Sequence, residues 1–269
     1  MKITPGKTLF LILGIVSLAA APAARSEVVL NTDTFDSIGA EWTPDRYPSA
    51  IFQSSPNPHS DVNNSSANAL QIGVAAADYQ ANHFFDYQGY RRDISLSAGS
   101  ALNYVQTQLY LDPAWQTSSR IRTGLWLGSA TDPTWVAIFG FSNLNGNNPT
   151  LEYFDNNLPG GGDWVSLGTT IDWGTWMTFN LTFTSADIDF YANGALVAEI
   201  SNGGNLEFGS LAIENENGLT GDPQGVTYSA YYDNLVAPVP EPSTCILGGL
   251  GVFLLVLEQR RRRSAVKIS

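Results

Sequence analysis

The amino-acid sequence predicts an all-β protein, a two-sheet antiparallel β-sandwich flanked by an N-terminal signal peptide and a short C-terminal transmembrane helix. Residues 176–184 alternate between apolar and polar side chains, which is the period-two pattern of a strand with one buried face. About a dozen such segments, separated by turns rich in Gly, Asn and Pro, occupy the roughly 210 residues between the termini. No long helical periodicity interrupts them. Strands in this number are expected to bury their apolar faces by pairing into two packed sheets.

Individual strands are predicted from runs of β-branched and aromatic residues. In the clearest one, Met177, Phe179 and Leu181 share a face. The next strand leads into Asn193-Gly194, the strongest short hairpin signal, and a return strand follows that turn. The other predicted strands lie at residues 28–35, 69–74, 102–111, 121–127, 135–141, 206–213 and 226–236.

Two short patterns resemble parts of a known fold. The sequence DFYANGALV at residues 189–197 is similar to the late hairpin of concanavalin A-like and laminin-G-like jelly rolls. The sequence YDNLV at residues 232–236 resembles the closing strand of the same domains. The resemblance implies a jelly-roll sandwich, with an immunoglobulin-like or other sandwich as the alternative.

The N-terminus has the composition of a secretory signal peptide. Lys2 and Lys7 precede an apolar stretch at residues 9–20, and small residues follow it. Two sites, at residues 21–23 and 24–26, fit a cleavage pattern, so the mature chain is expected to begin at residues 24–27. An uncleaved membrane anchor is the alternative.

The C-terminus combines three features in a fixed order. The proline-rich motif consists of Val239, Pro240, Glu241 and Pro242, and an uncharged apolar run at residues 245–257 follows it. That run is shorter than the roughly 20 residues of a usual spanning helix. It is followed by a basic cluster: Arg260, Arg261, Arg262 and Arg263. Such a cluster is expected to stay on the cytoplasmic side as a stop signal.

In this order the three features resemble the PEP-CTERM sorting signal of Gram-negative bacteria. The resemblance implies a partner, the membrane protease-transpeptidase called exosortase, which would process the chain near the motif. It also implies transient anchoring in the inner membrane, followed by transfer of the domain to the cell surface or the extracellular space.

The chain is therefore predicted to contain one domain between an N-terminal export signal and a C-terminal sorting signal. The predicted segments are the signal peptide at residues 1–26, the sandwich at 27–236, a linker with the motif at 237–244, the apolar segment and arginines at 245–263, and a tail at 264–269. The polar stretch at residues 54–68 is predicted to be a long loop within the domain, because strand patterns lie on both sides of it.

The exported region is strongly acidic. Residues 27–242 contain five arginines, no lysine and twenty-four Asp and Glu, a net charge of −19. This charge excludes nucleic acid as a partner, disfavours anionic polymers and favours neutral partners or divalent cations. Since Cys245 is the only cysteine, the domain has no disulfide and depends on its core for stability.

No catalytic residues are predicted. Concanavalin A-like glycosidases place two carboxylates on one strand, and the closest local match is Asp187 with Asp189. The match departs from the Glu-x-Asp-x-x-Glu pattern of such enzymes, since Asp187 replaces the first Glu and Ala192 the last. We interpret these aspartates as the solvated face of a hairpin strand.

Three tryptophans in loop contexts are candidate carbohydrate-binding residues: Trp115, Trp164 and Trp173. Aromatic rings can cover the apolar CH faces of sugars. Packing of these rings onto the edge of the sandwich is the alternative.

No metal or cofactor is expected. Oxygen-rich segments at residues 143–148 and 155–157 could supply calcium ligands, but the needs of tight turns explain their Asn and Gly without an ion. Calcium is therefore kept as the alternative.

Together these features predict an exported, non-enzymatic cell-surface or matrix protein that interacts with carbohydrate. The matrix role, and extracellular polysaccharide as a partner, are implied by the PEP-CTERM resemblance. One alternative is a glycoside hydrolase or lyase on a concanavalin A-like fold, and another is a structural surface protein.

Overall fold

The computed structural model describes residues 28–79, 86–97, 103–118, 120–130, 135–144, 148–158, 161–204, 207–218 and 225–240. Within these ranges the chain forms fifteen strands: β1 Val28–Asp33, β2 Thr43–Arg46, β3 Ile51–Pro56, β4 Asn68–Val74, β5 Tyr87–Ser97, β6 Tyr104–Tyr110, β7 Ile121–Ser129, β8 Trp135–Asn143, β9 Thr150–Asp155, β10 Asp163–Ser166, β11 Trp176–Phe183, β12 Asp187–Ala192, β13 Ala195–Ser201, β14 Glu207–Glu216 and β15 Tyr228–Pro240. None of the described helices is long and apolar enough to span a membrane.

The strands form two antiparallel sheets packed face to face. Sheet A has the order β13-β12-β11-β6-β15-β4-β3, and β1 also pairs with β15. Sheet B has the order β10-β9-β8-β7-β14-β5-β2. This architecture confirms the predicted all-β jelly-roll sandwich.

The core lies between the two sheets and follows the predicted alternation. On β11, Met177, Phe179, Leu181 and Phe183 are all buried in it. Phe179 lies 4.5 Å, centroid to centroid, from Phe139 of sheet B, so aromatic rings bridge the sheets.

The predicted hairpin between β12 and β13 is confirmed. Asn193 has a φ of 47° and Gly194 a φ of 79°, the two left-handed residues that a type I′ turn requires. Asn193 also accepts a hydrogen bond on its side-chain oxygen from the Thr178 backbone N–H at 2.8 Å. The turn is therefore tied to the neighbouring strand.

The last strand is longer than its sequence pattern indicates. β15 continues to Pro240, and residues 237–240 pair with β1, so the predicted linker at 237–244 begins inside a strand. Residues 1–26 and 241–269, which carry the predicted signal peptide, the apolar segment and the basic cluster, lie outside the described residues.

The polar loop predicted within the domain packs on the outer face of sheet A. The Trp176 indole N–H donates to the His59 carbonyl oxygen at 2.6 Å. Asn64 donates from Nδ2 to Oδ2 of the buried Asp233 at 2.8 Å. These bonds hold the loop against strands β11 and β15 of sheet A.

Candidate functional site

The outer face of sheet B, which points away from sheet A, carries a row of carboxylates and glycines. On β14, Leu211 and Ile213 point into the core, so Glu214 points outward by alternation. The strand register places one residue from each of the seven strands side by side in what we call the central row: Asp45, Gly89, Glu214, Gly124, Gly140, Glu152 and Ser166.

Two of the three glycines in the central row are required by close approach of the backbone. A Cβ atom at Gly140 would lie 2.2 Å from the Thr123 carbonyl oxygen. At Gly89 it would lie 2.1 Å from the Ile213 carbonyl oxygen and 2.6 Å from Oε2 of Glu214. Side chains cannot be accommodated at these distances. The central row is therefore a trough in which carboxyl side chains lie over bare backbone.

An aromatic row borders the central row on one side, two residues along each strand. Its members are Thr43, Arg91, Ala212, Trp126, Ile138, Phe154 and Trp164. The Trp164 ring meets the rings of Phe154 and Trp126 edge-on, with centroids 5.4 and 6.4 Å away. A line of rings beside a polar trough has the amphipathic character of a sugar-binding surface.

A polar row borders the central row on the other side: Tyr87, Glu216, Arg122, Ser142 and Thr150. Arg122 links the rows, because its Nε donates to Oε1 of Glu152 at 2.5 Å and its Nη1 donates to Oε2 of Glu216 at 2.9 Å. Nη1 also donates to the Tyr87 hydroxyl oxygen at 3.2 Å, and the guanidinium lies 4.2 Å from the centroid of the Trp164 ring. One cation thus orients two carboxylates.

Burial sets the protonation of these two glutamates. Burial raises the pKa of Glu216 to about 7, against the opposing effect of Arg122 and of its hydrogen bonds with Arg122 and Tyr87. Burial likewise raises the pKa of Glu152, and Arg122 and Ser142 offset this only in part. Both groups therefore bind a proton more readily than an exposed glutamate.

The carboxyls of Glu214 and Asp45 form a second pair, over Gly89. Glu214 is fully buried, and neither of its oxygens receives a hydrogen bond from an N–H group. The Asp45 carboxyl is its hydrogen-bond partner, and a bond between two carboxyls requires one of them to be protonated. Burial, with the added negative charge of Asp45, raises the pKa of Glu214 well above its usual value. Glu214 therefore binds its proton more tightly than an exposed glutamate does.

This arrangement can supply a proton and a carboxylate on the same surface. Glu214 and Glu216 point outward from one strand two residues apart, which separates their Cα atoms by roughly 7 Å. The pKa of Glu214 is raised well above its usual value, and the pKa of Glu216 is raised to about 7. Two neighbouring carboxyl groups with perturbed pKa values are the kind of arrangement that general acid and base catalysis uses.

Of the three predicted carbohydrate-binding tryptophans, the structure places only Trp164 on this face. Trp115 is 3% exposed and stacks on Phe141 at 5.1 Å between ring centroids. Trp173 packs edge-on against the same Phe141 ring at 5.8 Å. Trp164 is half-buried at the end of the aromatic row.

The other residues considered from the sequence do not gather into a site. Asp187 and Asp189 lie on β12 in sheet A, away from the central row. Asp155 uses its Oδ1 to accept a hydrogen bond from the Asn157 backbone N–H at 2.9 Å, as expected for a turn. Among the described residues there is no group of three or more His, Cys, Asp or Glu that could hold a metal ion. Val239 and Pro240 belong to β15, and the rest of the sorting motif lies outside the described residues.

Sequence reasoning missed the carboxylates of sheet B. A local signal exists at Glu214 and Glu216, which alternate with Ile213 and Asn215 and extend the strand predicted to end at residue 213. Glu152 and Arg122 have no local signal. They meet Glu216 only through the pairing of β7, β8, β9 and β14.

No protein-family model and no curated protein matches the sequence. Solved structures do match. The GlcNAcα1-4Gal-releasing endo-β-galactosidase from Clostridium perfringens has a TM-score of 0.52 and 11% identity, and the alignment covers 82% of this chain but only 65% of the enzyme. An endo-acting O-glycanase of the human gut microbiota has a TM-score of 0.51 and 13% identity, over 78% of this chain and 98% of that one. The Bacillus licheniformis β-glucanase has a TM-score of 0.50 and 16% identity, over 79% and 97%.

These comparisons overturn the expectation of a non-enzymatic protein. The three matched proteins are enzymes that act on glycans, whereas a non-enzymatic protein was expected. At this level of identity the likeness shows the fold alone, so activity and substrate must be argued from the side chains of the site.

Proposed function

We propose that this protein is a glycoside hydrolase whose active site is the outer face of sheet B. The observation that carries the proposal is the pair of buried, outward-pointing carboxyls on one strand, Glu214 and Glu216, both with raised pKa values. The aromatic row beside them and the glycan-active enzymes of similar fold support the same conclusion.

In the proposed reaction Glu214 is the general acid. Its proton passes to the glycosidic oxygen as the bond from the sugar carbon to that oxygen breaks. Glu216 accepts a proton from the water that attacks the same carbon, so one water is consumed for each bond cleaved. Arg122 and Tyr87 orient the Glu216 carboxylate through their hydrogen bonds.

The Arg46 side chain lies near the proposed acid, Glu214. Glu214 and Glu216 are 0% and 3% exposed, and the Arg46 guanidinium lies 4.8 Å from the centroid of the nearby Trp126 ring. A quarter of this long side chain is exposed, so its guanidinium can shift as a sugar ring approaches the aromatic row and still contact the bound glycan.

The test is the release of reducing ends from a panel of polysaccharides by the full chain. We expect the Glu214→Gln variant to lose about 100- to 10,000-fold of the rate, because the amide cannot donate the acid's proton. Glu199→Gln is the matched control, since Glu199 is an exposed carboxylate on β13 of sheet A. No release from any polymer, or equal rates for Glu214→Gln and Glu199→Gln, would contradict the proposal.

The terminal sequence signals support a separate proposal about location, in which the chain is exported and sorted by its PEP-CTERM tail. Deleting Arg260, Arg261, Arg262 and Arg263 in the native host is expected to leave the domain misplaced or unprocessed, because the stop that holds the tail at the membrane is lost. Cell fractionation and the size of the mature chain measure this. An unchanged size and location would count against sorting and leave the proposed activity unaffected.

A further inference from the structure

The arginines of this acidic protein are concentrated on one face. Residues 27–242 have a net charge of −19 and only five arginines. Three of them, Arg46, Arg91 and Arg122, belong to the outer face of sheet B. Arg92 points inward to Asp33, with 3.4 Å between Nη1 and Oδ2, and Arg120 precedes β7 outside the three rows. Three of the five arginines in residues 27–242 therefore lie on the candidate active face.

Arg46 is held on this face by an unusual backbone conformation. Its φ is 51°, in the left-handed region that a residue with a Cβ rarely adopts. This conformation places the guanidinium 4.8 Å from the Trp126 ring centroid and 5.6 Å from the Tyr87 ring centroid. Strain in a residue of this kind is often found at binding sites.

Arg91 presents its charge to solvent at the same end of the trough. Half of its side chain is exposed, and its closest carboxylate oxygen, Oδ1 of Asp45, lies 3.9 Å from Nη1. This distance exceeds that of a hydrogen bond. The forked N–H groups of the guanidinium can therefore donate two hydrogen bonds to the oxygens of one bound anion.

The carboxyls beside these arginines are less negative than their number indicates. Burial and Asp45 raise the pKa of Glu214 well above its usual value, and burial raises the pKa of Glu216 to about 7. Glu152 is shifted in the same direction. Asp93, two residues from Arg91, is exposed and close enough to weaken its field. The three glutamates of this face therefore carry less negative charge near neutral pH than exposed glutamates would.

We propose that the glycan bound on this face is anionic, and that Arg46 and Arg91 bind its charged groups. Carboxylates of uronic acids and ester sulfates share the planar or forked oxygen geometry that arginine recognises. The inference rests on the proposed function, because it takes the same face as the substrate site. It also replaces the expectation of neutral partners drawn from total charge, because binding depends on the local field.

The test is affinity electrophoresis of the full chain through gels that contain one of four polymers: polygalacturonate, its fully methyl-esterified form, dextran sulfate and dextran. We expect retardation by a charged polymer and not by its uncharged counterpart. Polygalacturonate alone would identify carboxylates, dextran sulfate alone would identify sulfates, and both outcomes support the proposal. The Arg46→Gln and Arg91→Gln variants should each weaken binding by about ten-fold, as expected for loss of one charged hydrogen bond.

Arg120→Gln is the matched control, since it removes one positive charge that lies outside the three rows and gives the same change in gel mobility. Equal weakening by Arg120→Gln, equal retardation by the charged and uncharged polymers, or no retardation at all would overturn the proposal. A failure of the proposed hydrolase activity gives a different result from a failure of anionic-glycan binding. If the chain binds polygalacturonate through Arg91 but releases no reducing ends, it is a binding protein for anionic glycans and not a hydrolase.

Discussion

The Arg122→Met substitution is expected to lower the free energy of unfolding by about 3–5 kcal/mol near pH 8. The Arg122 side chain is 12% exposed, and the side chains of Glu152 and Glu216 are 6% and 4% exposed. Methionine fills much of the same volume but leaves both buried carboxylates without their cation. The loss should shrink near pH 5, because protonated glutamates need no counter-charge. Urea unfolding at the two pH values measures both effects.

A matched control separates this effect from a general loss of positive charge. Arg91→Met removes an arginine of the same face whose side chain is half exposed and whose nearest carboxylate is 3.9 Å away. Its cost should be below about 1 kcal/mol, as for other exposed pairs. Adding Glu152→Gln and Glu216→Gln to Arg122→Met should restore part of the stability, since no charge is then buried alone. A loss in Arg122→Met equal to that in Arg91→Met, or independent of pH, would contradict the role of Arg122.

The strands around the predicted hairpin could be predicted from the local alternation of apolar and polar residues. Strand β11 alternates strictly, and Asn193-Gly194 specifies its turn by backbone conformation alone. Strand β5 shows no such pattern, because Arg91, Arg92 and Asp93 interrupt its apolar positions. Arg92 points inward all the same and is paired with Asp33. A buried ion pair contributed by another strand cannot be recognised from the residues next to it.

The candidate site could not be predicted for a related reason. Glu152, Glu214 and the glycines between them become neighbours only when seven strands are in register, and no segment of the sequence contains more than a small part of the row. Trp115 shows the opposite error. Its Asp-Pro context indicates a loop, but Asp112 caps a short 3-10 helix that directs the ring into the core. Tertiary packing decides both cases.

The stability of the domain should fall as the pH rises from about 4.5 to about 7, and Glu216 should account for much of the change. Burial raises the pKa of this group from its ordinary value of 4.5 to about 7 in the folded chain. Between these values the native state binds more protons than the unfolded state. The contribution of Glu216 to the free energy of unfolding is therefore fully present below pH 4.5 and is lost as the pH rises through 7. The shift corresponds to roughly 3 kcal/mol. Glu152 and Glu214 are shifted in the same direction and should add to the slope.

Urea unfolding across this pH range measures the slope. The Glu216→Gln variant should show a shallower slope, because its amide resembles the protonated form at every pH. The exposed Glu199→Gln variant should retain the native slope. Equal slopes in the two variants would assign the effect to other groups.

The same ionisation links stability to the proposed activity. If Glu216 is the base, the hydrolysis rate of the native chain should rise as Glu216 loses its proton near pH 7, where the domain is losing stability. A rate that falls through this interval would exclude Glu216 as the base even if the stability slope were as expected, since the slope depends only on burial of the group. Coincident pH midpoints of the stability change and of the rate increase would instead show that loss of one proton, from Glu216, both weakens the fold and activates the site.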